Sequence, residues 1–84
     1  MYNGNYQIGL PKGWTEPHRH LYNRLRGVDM ERLLKDYERY INHENDPKLK
    51  NYPQEIIDKT IEVMEYIFEK IYGLKKVDYF VKMK

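Results

Sequence analysis

Between Gln54 and Tyr72 the chain reads QEIIDKTIEVMEYIFEKIY, and this stretch constrains the fold more than any other. At about 100° per residue, Ile56, Ile57, Ile61, Val63, Met64, Ile67, Phe68, Ile71 and Tyr72 spread over roughly half of a helical wheel. A helix of this length spans about 30 Å at 1.5 Å per residue. Its apolar arc is wider than one neighbouring helix covers, so the surplus must meet a further element or a second subunit. Asn51 and Gln54 resemble a capping box, with Pro53 in the first turn, and Gly73 with Leu74 suits a Schellman ending.

The upstream sequence supplies two more helices. Asp29 is placed to cap one in which Met30, Leu33, Leu34, Tyr37, Tyr40 and Ile41 share an arc of roughly 120°. Before it, Thr15 serves as N-cap and Pro17 lies in the first turn, where a missing N–H costs little. His18, Leu21, Tyr22 and Leu25 then form one face, and Gly27 closes the helix. The ends of the chain alternate instead. Tyr6, Ile8 and Leu10 at one end, and Val77, Tyr79, Val81 and Met83 at the other, have the two-residue period of strands. The expected fold class is therefore mainly α. It is a three-helix domain, third helix longest, with short N- and C-terminal β-strands free to pair, and residues 1–84 form a single domain.

At 84 residues the chain supports one small core, a size at which domains often add disulfides, a metal or a second copy. It has no cysteine, which excludes disulfides and thiolate metal sites. No apolar run approaches the ~20 residues of a membrane helix, and MYNGNYQIG lacks the apolar segment of a signal peptide, so a cytoplasmic protein without a membrane partner is expected. Nine tyrosines, with neither alanine nor serine, suggest an AT-rich coding genome, as in many phages, or a thermophile. Charge is segregated: residues 1–27 and 73–84 each sum to +3, residues 28–46 to −3 and residues 47–72 to −1.

Three constellations could carry chemistry. The first is TEPHRHLYNRLRG, residues 15–27. On a helix His18 and His20 point about 200° apart, and His43 has no zinc-motif spacing to them, so neither a metal nor a cofactor is expected. Arg19 and Arg26 flank one side of the apolar stripe, and Arg24 and His20 the other, as a basic rim. Joined to Lys75 and Lys76, and to Lys82 and Lys84 beyond, this rim could grip nucleic acid, with Tyr22 and Tyr79 stacking on bases. Arg19, Arg26 and Tyr22 could instead hold a small anionic ligand between subunits. The second helix exposes three charges of each sign (Glu31, Asp36, Glu38; Arg32, Lys35, Arg39), unlike a helix that reads bases.

The second constellation is an acidic ridge. Glu55, Asp58, Glu62, Glu65 and Glu69 fall within roughly 80° of the third helix, opposite its apolar arc. Such a ridge is expected to be solvated and to suit a basic partner; a uniform row gives no means of pushing two carboxyl pKa values apart for catalysis. With no Ser or Cys nucleophile and no glycine-rich phosphate loop, an enzyme is not expected. The third is the row Ile56, Val63, Ile67 and Leu74, spaced seven, four and seven apart as a helix-pairing seam requires, which predicts a homodimer. The function these features imply is a small non-enzymatic protein-interaction module. It would be a regulator or inhibitor of the phage or mobile-element type that occludes an unidentified protein partner. Nucleic-acid binding through residues 19–26 and 75–84 is the alternative, and sequestration of a small anion the second alternative.

Overall fold

The structure, a computed structural model, describes residues 10–82. Among the described residues four α-helices follow one another: α1, Glu16–Leu25; α2, Met30–Ile41; α3, Gln54–Lys70; and α4, Lys76–Lys82, with a 3-10 turn at His43–Asn45. No helix among the described residues is long and apolar enough to cross a membrane.

Local chemistry accounts for most boundaries. Thr15 is the extended N-cap of α1, and its N–H donates to His18 Nδ1 at 2.9 Å, so an imidazole performs the back-bonding that a capping box usually assigns to Glu. Asp29 caps α2 by accepting the Arg32 N–H at 3.0 Å. Two caps differ from expectation. Pro53 is itself the N-cap of α3, and the Gln54 amide donates to Asp58 at 2.9 Å, so Asn51 and Gln54 form no capping box. Gly27 takes no left-handed conformation, because Arg26 ends α1 with helical torsions and the Val28 N–H closes on Leu25 at 3.0 Å. Gly73 does supply a left-handed residue, at φ 69°. The Leu74 N–H then reaches back to the Phe68 carbonyl at 2.8 Å, a wider closure than a Schellman motif, and Leu74 folds onto the core.

The C-terminal strand is a correction. Residues 76–82 form helix α4, and no strand occurs among the described residues. Asp78 accepts the Lys75 N–H at 3.0 Å, and the Asp78 and Tyr79 N–H groups bond the Lys75 carbonyl, so a short helix satisfies its own backbone where a strand would need a neighbour. Alternation in VDYFV is overridden by one anchor: Tyr79 is fully buried, whereas Val77 remains 64% exposed. Tyr6 and Ile8 of the N-terminal strand, and Met83 of the C-terminal one, lie outside the described residues; Leu10 sits in a bend and packs against the core.

Paired residues give the helix directions. His18 meets Glu62, Tyr22 meets Tyr66, and the Tyr72 hydroxyl bonds the Val28 carbonyl, so α1 and α3 run the same way. From Val28 opposite Tyr72 to Tyr37 opposite Glu65, α2 returns along α3. The core lies between them: Trp14, Tyr22, Leu33, Tyr37, Val63, Met64, Ile67, Phe68 and Tyr79. Aromatic rings complete the cover over α3. Tyr37 stands edge-on to both Phe68 and Tyr79, with centroids 5.4 and 5.3 Å away. The seam expected to stand open is therefore closed within one chain: Val63 and Ile67 are fully buried, and Leu74 packs on the same core. The two ends of that row, Ile56 and Leu74, are half-buried.

Candidate functional site

The five carboxylates do share one side of α3, but they are not equivalent. Glu55 is paired with Lys59 one turn on, and that ammonium, by hydrogen bond and by charge, lowers its carboxyl pKa below the usual range. Asp58 accepts the Gln54 amide. Glu62 is held at both oxygens: Oε1 lies 2.8 Å from His18 Nε2, and Oε2 accepts the Trp14 indole N–H at 3.3 Å. Glu65 Oε2 accepts the Tyr37 hydroxyl at 2.7 Å and lies 3.7 Å from Lys76 Nζ. Glu69 is exposed. The expectation of a uniformly solvated ridge is thus corrected at its centre, where Glu62 and Glu65 tie α3 to α1 and α2.

His18 is buried beneath this ridge, stacked on Trp14 with ring centroids 5.3 Å apart and planes 9° from parallel. Its tautomer follows from its neighbours. The Thr15 N–H can only donate, so Nδ1 accepts, and Nε2 carries the proton given to Glu62. Both ring nitrogens are committed inside the fold. Among the described residues no three His, Asp or Glu side chains are grouped to hold a metal ion.

The carboxylates also act on the tyrosines behind them. Burial, then the hydrogen bond and charge of Glu65, holds the Tyr37 phenol far above its ordinary value. Tyr79 is pushed up to about 12, mainly by burial and secondarily by Glu65 and Glu69. The Tyr37 hydroxyl donates to Glu65, and both rings serve as packing surface.

The basic set is placed less favourably for nucleic acid. Arg19 and Arg24 are exposed on α1, and Arg26 is half-buried at its end. Lys75 and Lys76 lie at the start of α4, with Lys76 leaning toward Glu65. Tyr22 is buried edge-on to Tyr66, and Tyr79 is fully buried against Phe68, so neither presents a face to a base. The same burial removes Tyr22 from any anion-binding cleft.

Sequence reasoning did not anticipate Trp14 and His18 as partners of Glu62. Trp14, the single tryptophan, stands in the turn-forming stretch PKGW, which by itself signals no partner. A pairing across 44 residues has no local signal beyond an apolar ring and a histidine at a helix start. No known family model matches this chain, and no curated protein or solved structure is significantly similar to it.

Proposed function

We propose that this chain is a small non-enzymatic interaction module, a regulator or inhibitor that covers a basic surface on a protein partner. One observation carries this. Glu55, Asp58, Glu62 and Glu69 stand exposed along one side of α3, and the central carboxylate, Glu62, is already oriented by Trp14 and His18. A carboxylate fixed before binding loses less side-chain freedom when it meets Lys or Arg. Flanking acidic groups raise the encounter rate of a basic partner. Occlusion needs no bond-making residue, only a rigid surface of the right sign.

A fluorescently labelled oligolysine peptide tests this at low salt. Binding that weakens as salt is added, and that falls in the variant Glu55→Gln/Asp58→Gln/Glu69→Gln, is expected. That variant leaves the Glu62 contacts in place. Equal affinity in the variant, or preference for random-sequence DNA over oligolysine, overturns the proposal.

A further inference from the structure

Part of the apolar surface left by folding lines a groove between α1 and α3. Pro17 and Leu21 of α1 and Ile56 at the start of α3 line a depression of about 410 Å³, rimmed by Glu16, His20 and Arg24. Leu21 and Ile56 are half-buried, while the three rim residues are exposed. Large side chains left half in water on so small a domain favour a covering surface.

The rim charges select the occupant. Glu16 and Arg24 stand four residues before and after His20 on the same helix. A second α1 laid antiparallel about a twofold axis at His20 therefore brings each Glu16 to the other copy's Arg24. A uniformly acidic partner would meet Glu16, and a uniformly basic one Arg24; the chain's own groove matches both ends. One patch serving both copies is the rule for twofold interfaces. We infer that this groove is a homodimer interface, with α1 packed antiparallel on α1, Leu21 of each copy covering the Ile56 floor of the other, and two Glu16–Arg24 pairs across the axis. No α3 carboxylate lines the groove, so the acidic ridge stays open in the dimer.

Sedimentation equilibrium on the unmodified chain at tens of micromolar is expected to show a dimer. Glu16→Arg and Arg24→Glu should each weaken it about tenfold or more, because attraction becomes repulsion at two symmetric places. The double variant should recover to within about threefold of the original, since each new Arg meets a new Glu. His20→Cys should form an intermolecular disulfide on oxidation, as residues at the axis approach within the ~7 Å that such a bond requires. Asn23→Cys, nearly a turn further along α1 and so displaced from its symmetry mate on the antiparallel copy, should not. Oligolysine binding, measured in parallel, should be unchanged in the single variants, which separates failure here from failure of the ridge. A monomer at these concentrations, a double variant as weak as the singles, or cross-linking at Asn23→Cys but not at His20→Cys overturns the inference.

Discussion

His18 Nε2 lies 2.8 Å from Glu62 Oε1, joining the first turn of α1 to the middle of α3 across 44 residues of chain. The bond lies beside a stacked tryptophan that donates to the other oxygen of the same carboxylate. A side chain on the outer face of an amphipathic helix has become a structural tie.

This relationship reverses the effect expected of neutralising the ridge. Relieving like-charge pairs gains only a few tenths of a kcal/mol. Glu62→Ala removes the acceptor of both His18 and Trp14, and with Glu62 partly in water its loss should cost about 1–2 kcal/mol. Glu69→Ala should be near neutral. Urea unfolding with an unchanged m-value measures the difference, and a double-mutant cycle of Glu62→Ala with His18→Ala should show coupling of about 0.5–1 kcal/mol. Additive effects in that cycle would mean the geometry contributes nothing to stability.

The buried middle of the former seam gives a second expectation. Ile67→Ala should cost about 2–5 kcal/mol at any protein concentration, because a fully buried side chain is lost from the core of a single chain. Val63→Lys should unfold the domain rather than release a folded monomer. Circular dichroism combined with sedimentation decides this; a well-folded monomer from Val63→Lys would restore the seam.

Helix α4 depends on one ring. Tyr79→Ala should destabilise the protein by about 3 kcal/mol or more, the usual loss for a large buried aromatic. Val77→Ala, two residues away and 64% exposed, should stay within about 0.5 kcal/mol of the original. Strand-like alternation would have put both side chains on one face, so equal effects at the two positions would speak for the strand.

Alkaline pH should unfold this protein early. The folded chain holds the Tyr37 and Tyr79 phenols above their ordinary value of 10.0, Tyr79 at about 12, chiefly through burial. Above pH 10 the unfolded chain releases protons that the folded chain keeps. Stability from these groups is thus fully present below pH 10 and is lost as pH rises toward 12, by up to about 1.4 kcal/mol per pH unit for each tyrosine. Urea midpoints should fall steeply across that window, and less steeply in Tyr79→Phe. A midpoint unchanged up to about pH 11.5 contradicts the burial argument.

Local rules determined the helices wherever capping and periodicity agreed. Thr15, Asp29 and the apolar arc of residues 54–72 act through contacts within a few residues, so their consequences are present in the sequence itself. Local rules failed where a single long-range contact outweighed them. VDYFV alternates like a strand, yet one buried ring, Tyr79 against Tyr37 and Phe68, and the Asp78 cap settle it as a helix. Glu62 and Glu69 occupy the same outer face of α3 by periodicity, but only Glu62 meets an imidazole and an indole. Val63, Ile67 and Ile56 share one apolar row, yet the first two are fully buried in the core and the third lies beside a groove. Helical period places a residue on a face; which face a neighbour then covers depends on the direction of a returning helix and the volume of its rings, and those exist only once the chain has folded.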